Sequence, residues 1–191
     1  MEVMLDLETL STRMNAVVLV IAGIKFDRSI PIKTPDYKDS NVFYRRIDLA
    51  SYKNLDCHID PETEAWWKKQ SKEVQEEVFG KGKERISLRQ ALLEFKNWFG
   101  NSKQIWSNGN TFDIPILSEW FSKLNIPIPW KFYNSRDTRT IYELAGIKSF
   151  DLPQDNLHNA LYDCWRQIVG VNKSYLKLGN LPSKGASSDK T

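Results

Sequence analysis

From Glu2 to Glu8 polar and apolar positions alternate, with Val3, Leu5 and Leu7 on one side and Met4, Asp6 and Glu8 on the other. That period predicts a strand with an acidic pair on one face. Residues 16–26 and 41–47 are β-branched and aromatic runs separated by a polar, proline-containing stretch, and predict two further strands in an antiparallel meander with the first. After residue 60 the period changes. Asp60-Pro61-Glu62 sets a capping acid before a proline at the first helical position, and Trp67, Val74 and Val78 then line one face of a helix running to Gly80, with Trp66 off that stripe. Residues 87–99 predict a helix with Leu88, Leu92, Phe95 and Phe99 inward and Gly100 as its stop. Residues 104–107 read as a short strand, with Trp106 in the core, and residues 111–124, 136–145 and 159–178 as helices, the last with Leu161, Trp165 and Ile168 inward. Together these elements predict an α/β fold with a mixed sheet, an antiparallel β-meander and flanking helices.

With 191 residues the chain has the length of one domain, expected over residues 1–178. Residues 179–191 are expected to be a disordered tail, because residues 183–191 are small, polar and charged. Twenty-seven basic against 24 acidic residues leave a net charge of +3, too mild to announce a polyanionic partner. Any nucleic-acid role has to come from a site. Cys57 and Cys164 are too few for a disulfide framework and are expected as free thiols, Cys164 buried. The N-terminus lacks a basic opening and an apolar run, so no secretory signal is expected and the location is expected to be cytoplasmic. The longest apolar run, residues 16–24, is about half of the roughly 20 residues a membrane-spanning helix needs. His58 has no partner at a meaningful spacing and is expected in a loop.

Candidate chemistry gathers at three places. Asp6 and Glu8, two apart on a strand with apolar neighbours, are either an acidic face in water or a pair held together by a cation. If the latter, oxygen-only ligands favour Mg²⁺ or Mn²⁺ over zinc. Asp113 follows the turn Asn108-Gly109-Asn110 and falls in the first turn of a helix, where it is either a further ligand or an acid favoured by the helix dipole. His158 and Asp163 are five apart, about 140° around an ideal helix, so they cannot share a face within one. A His158 in the loop before the helix can fold back towards Asp163; a purely structural histidine is the other reading.

Taken together, Asp6-Leu7-Glu8-Thr9, Asn108-x-x-x-Phe112-Asp113 and His158-x-x-x-x-Asp163 resemble the three motifs of the DEDDh 3′–5′ exonuclease superfamily, in its order. The likeness extends to residues 61–70 with the Trp66-Trp67 pair, to Arg136-Asp137-Thr138-Arg139-Thr140 and to Cys164. It looks like the branch of phage exonucleases and mycobacterial-type exoribonucleases, and covers the chain to about Tyr175. Residues 18–23 depart from it, lacking a regular Ile-Gly pair in the second strand.

The resemblance implies an RNase H-like fold and two metal ions about 4 Å apart held by Asp6, Glu8, Asp113 and Asp163. Asp6 would bridge both, and His158 would be the general base that takes a proton from the attacking water. The product would be nucleoside 5′-monophosphates from single-stranded DNA or RNA 3′ ends. Arg136 and Arg139 are candidates for phosphate contact, or a surface salt-bridge pair with Asp137. Thr9, Leu10, Trp66, Asn110 and Phe112 are candidates for stacking on or hydrogen bonding to the terminal nucleotide, although Trp66 also reads as helix packing. Relatives of this kind imply a homodimer. A catalytically silent nucleic-acid-binding or scaffold domain of the same fold is the alternative; retention of all four acids and the histidine speaks against it.

Overall fold

The structure is a computed structural model and describes residues 1–179. Five strands form one mixed sheet in the order β3-β2-β1-β4-β5. The strands β1 (Glu2–Thr9), β2 (Val18–Phe26) and β3 (Val42–Arg46) make the antiparallel meander that the alternation predicts. β4 (Ile105–Ser107) joins β1 in parallel, and β5 (Ser135–Asp137) joins β4. β1 is therefore central, and its ladder with β2 shifts register between Glu8 and Thr9, near its end. A bulge at that point re-aims the side chains that follow the acidic pair.

Six α-helices flank the sheet: α1 (Pro61–Trp67), α2 (Lys72–Phe79), α3 (Leu88–Phe99), α4 (Asp113–Lys123), α5 (Thr138–Ala145) and α6 (Ala160–Lys177). α6 packs on β1 and β2. Phe95, Phe99, Trp120 and Phe121 are fully buried in a continuous core with the strand residues Leu5, Leu19 and Ile21. Trp106 and Cys164 lie in the same core, as expected. At the irregular end of the β1–β2 ladder and just past it, buried backbone groups need other partners. The Trp67 indole N–H donates to the Thr9 carbonyl at 2.9 Å, that of Trp120 to the Ala16 carbonyl at 2.8 Å, and the Tyr52 hydroxyl pairs with both the N–H and the carbonyl of Val18.

Several expectations need correction. The helix expected from Asp60 to Gly80 is two helices, because Lys69 and Gln70 close i→i+3 turns and Ser71 then caps α2 by accepting from Val74 N–H at 3.3 Å. The helix expected over 136–145 begins only at Thr138; Arg136 lies in β5, opposite Trp106. Three polar residues carry no alternation that a sequence reading can detect, and pairing with β4 makes them a strand. The helix expected over 111–124 starts at Asp113, and Asn159 is the cap of α6 rather than part of it. His58 does have a partner, since its Nδ1 lies 2.7 Å from the Ser11 hydroxyl. The expected tail falls, apart from Gly179, outside the described residues. Among those described, no helix is long and apolar enough to cross a membrane.

Candidate active site

Asp6 and Glu8 sit opposite Ala22 and Val20 of β2, on the same face of the central strand. α6 crosses that face. Its Cys164 thiol lies 3.7 Å from the carbonyls of Met4 and Ala22, so α6 is seated directly on the sheet and its neighbour Asp163 is brought to the strand acids. Carboxylate oxygens of Asp6, Glu8 and Asp163 lie within 4.8 Å of one another. Glu8 and Asp163 are each only 8% exposed.

Asp113 reaches the same place from the other edge of β1. Alternate N–H groups of β1 point towards β4, as Val3 N–H does in donating to the Gln104 carbonyl. β4 ends at Ser107, so the Leu7 N–H has no strand to pair with. The Asp113 carboxylate takes its place, accepting at 3.0 Å. A helix-dipole acid on the surface would be hydrated; Asp113 is 3% exposed and at the first position of α4.

Four carboxyls withdrawn from water beside one another cannot all ionise cheaply. Desolvation, with mutual repulsion added, pushes Asp6 and Glu8 well above the usual carboxylate range. Asp113 is raised to about 7, mainly by desolvation, against the pull of the Leu7 N–H and the Arg139 charge. Asp163 is raised by desolvation, although the positive charge of Arg166 works against it. Such a set is completed by cations with hard, oxygen-seeking character. The donor chemistry, carboxylate oxygens alone, fits Mg²⁺ or Mn²⁺, and beside it the buried Oε1 of Gln167 has no hydrogen-bond partner among the described residues.

Two residues on α6 that the motifs do not include complete the cluster. Gln167 Nε2 donates to Asp6 Oδ1 at 2.8 Å, and Arg166 Nη2 donates to Asp163 Oδ1 at 2.7 Å. They stand three and four residues after Asp163, the helical spacing that shares its face. That spacing was the available signal, but polar residues along a helix read equally well as a solvated face.

His158 precedes α6, exposed and with a left-handed φ of 63°, and its backbone N–H donates to Asp163 Oδ2 at 3.0 Å. The loop before the helix does fold back towards Asp163. The His158 ring meets the Trp66 ring at 5.0 Å and 90°. Trp66 is 41% exposed, so the expected helix packing is only partial.

The remaining candidates separate. Arg139 lies on the active-site side: its guanidinium carbon would sit 3.4 Å from a Cβ at Gly109, a position with φ of +108°. Asp137 Oδ1 ties this corner together by accepting from both the Gly109 and the Arg139 N–H. Arg136 instead donates to the carbonyls of Tyr133 and Ser135. The surface pair of arginines around Asp137 is thus two separate arrangements. Asn110 is exposed and Phe112 half-buried at the start of α4. Thr9 and Leu10 are buried, and the Thr9 hydroxyl donates to the Ser11 carbonyl at 2.7 Å.

Residues 1–174 match the family described as the 3′–5′ exoribonuclease Rv2179c-like domain. No curated protein matches the chain.

Proposed function

The chain belongs to the Rv2179c-like family of 3′–5′ exoribonuclease domains, and from that premise we propose that it removes nucleotides one at a time from the 3′ end of single-stranded RNA, at a site that holds two divalent cations, Mg²⁺ or Mn²⁺. Its RNase H-like α/β fold, its exonuclease class and its use of nucleic acid follow from the family; the strandedness, the ions and the residue roles are this proposal. The observation that carries it is the convergence of Asp6, Glu8 and Asp163 within 4.8 Å, with buried Asp113 reaching the same strand.

Asp6, Glu8, Asp113 and Asp163 would hold the cations, which when bound polarise the scissile phosphodiester and ease deprotonation of the attacking water. His158 receives that water's proton on its imidazole, a group suited to the task near neutral pH. Water adds to the phosphorus of the last phosphodiester, the P–O3′ bond breaks, the departing O3′ takes up a proton from solvent while His158 releases its own to solvent, and the products are a nucleoside 5′-monophosphate and a shortened chain with a free 3′-hydroxyl. Arg139, whose side chain makes no salt bridge among the described residues, supplies a phosphate contact beside Asp113. Asn110 and Phe112 face the terminal nucleotide from the start of α4. Asp6 is held in place by Gln167, and Asp163 by Arg166 and the His158 N–H.

Calorimetric titration of the metal-free protein with Mn²⁺ tests the metal assignment. Two sites per chain are expected, with Asp113→Asn weakening one and Asp6→Asn disabling both. Unaltered binding by Asp6→Asn would refute it.

A further inference from the structure

His158 is the least tethered member of the site. Asp6, Glu8, Asp113 and Asp163 are carried by a central strand and two packed helices, whereas His158 lies in a loop with two left-handed non-glycine residues, Asn156 at φ 51° and His158 at φ 63°. Its backbone is fixed by the bond to Asp163 Oδ2, and the adjacent Asn159 side chain donates to the Tyr37 hydroxyl at 3.0 Å. Neither contact sets the direction of the ring. Among the described residues the imidazole makes no hydrogen bond, and it is exposed.

One contact involves the ring itself. The ring lies edge-to-face with Trp66 at 5.0 Å and 90°, the attractive geometry for aromatic pairs. Trp66 is itself edge-to-face with Trp67 at 5.0 Å and 78°. Trp67 is buried, and its indole N–H is bonded to the Thr9 carbonyl, the residue after Glu8. A continuous path of packed rings therefore runs from the end of the acidic strand, through α1, to the histidine.

We propose that Trp66 is a positioning residue for His158, fixing the imidazole relative to the strand that carries Asp6 and Glu8 through the path Thr9, Trp67, Trp66. This rests on the reading of His158 as general base. It gives the Trp66-Trp67 pair a division of labour: the buried ring anchors to the strand, and the exposed ring presents an edge-to-face partner to the histidine. It also separates positioning from the simpler role of a platform for the terminal base, because a platform acts on substrate binding and a positioning residue on the chemical step.

The experiment is a double-mutant cycle. Steady-state hydrolysis of a 5′-labelled RNA oligonucleotide is measured for the wild type, Trp66→Leu, Trp66→Phe, His158→Ala and the double variant Trp66→Leu/His158→Ala, all checked for folding by thermal melts. Loss of the ring should lower kcat by about 10- to 100-fold, the cost of misplacing a reacting group by about an ångström, with KM within about twofold. Trp66→Phe should recover most of the rate. In the His158→Ala background, Trp66→Leu should cost nothing further. A second readout is independent of turnover: the chain has two histidines, and the imidazole proton resonances of His158, assigned by their loss in His158→Ala, should shift in metal-free Trp66→Leu as the indole ring current is removed.

A raised KM with unchanged kcat would make Trp66 a base platform and overturn the proposal. Full additivity of the two substitutions, or an unmoved His158 resonance, would overturn it as well. The underlying reading fails separately: His158→Ala with the wild-type rate removes the general base, whereas an impaired His158→Ala beside a fully active Trp66→Leu sinks the positioning role alone.

Discussion

Gln167 illustrates what single side chains add beyond the motif acids. Its amide fixes Asp6 Oδ1 from a buried position on α6, and groups that orient ligands this way typically contribute about 10- to 100-fold in metal affinity. Gln167→Ala is expected to weaken Mn²⁺ binding by roughly that factor while leaving the fold intact, as a metal titration beside a thermal melt would register. Arg139 and Arg136 make a sharper comparison. If only Arg139 contacts a substrate phosphate, Arg139→Gln should reduce the salt dependence of RNA binding by about one unit of slope, and Arg136→Gln should leave it unchanged. Equal slopes for both variants would return Arg139 to the ordinary surface. The motif acids and His158 were legible because their spacing admits few other readings once all three segments are taken together. Gln167 and Arg166 were not, since a polar residue on an amphipathic helix says nothing about which strand lies beneath it.

The elements show where local pattern succeeds and where pairing decides. The β1–β3 meander follows from alternation and β-branched content, and α3 and α6 from their apolar stripes. β5 is a strand only because β4 lies beside it, and α1 and α2 are separate only because Ser71 finds the Val74 N–H. Both depend on contacts that periodicity does not encode. The α5–α6 packing supplies a test at this scale. A Cβ on Gly170 would lie 2.5 Å from the Tyr142 hydroxyl oxygen and 2.6 Å from its ring carbon Cζ. Alanine in place of a helical glycine ordinarily stabilises by up to about 1 kcal/mol, while overpacking costs about 1–3 kcal/mol. The second effect should win here, because the Tyr142 hydroxyl donates to the Gln167 carbonyl at 2.7 Å and the ring has little room to retreat. Gly170→Ala is thus expected to destabilise on the order of 1 kcal/mol in chemical denaturation. It should also weaken metal binding, since Gln167 carries the shift to Asp6. A stabilised variant would show that the Tyr142 ring moves freely.

For the molecule as a whole, three buried carboxyls and the half-buried Asp6 beside them make stability depend on pH and on cations. The folded pKa of Asp113 is about 7, against an ordinary 3.8, and Asp6, Glu8 and Asp163 are raised in the same direction. A raised folded pKa means that the native state binds more protons than the unfolded chain, so the contribution is fully present below about pH 4 and is lost as pH rises through about 7. Melts of the metal-free wild type should therefore lose ground to Asp113→Asn across that window. Mg²⁺ added above pH 7 should raise the melting temperature of the wild type, because a ligand that binds only the folded state stabilises it. A wild type and variant that track each other at every pH would mean that Asp113 ionises as freely folded as unfolded. The central claim, removal of nucleotides from RNA 3′ ends at this acidic cluster, is tested most directly by digesting 5′-labelled single-stranded RNA and DNA of one sequence with Mg²⁺ or Mn²⁺, beside EDTA and Asp6→Ala controls. The account predicts a ladder shortening from the 3′ end, faster on RNA and absent in both controls. Intact RNA with a folded, metal-binding wild type, or a ladder that survives Asp6→Ala, would contradict it.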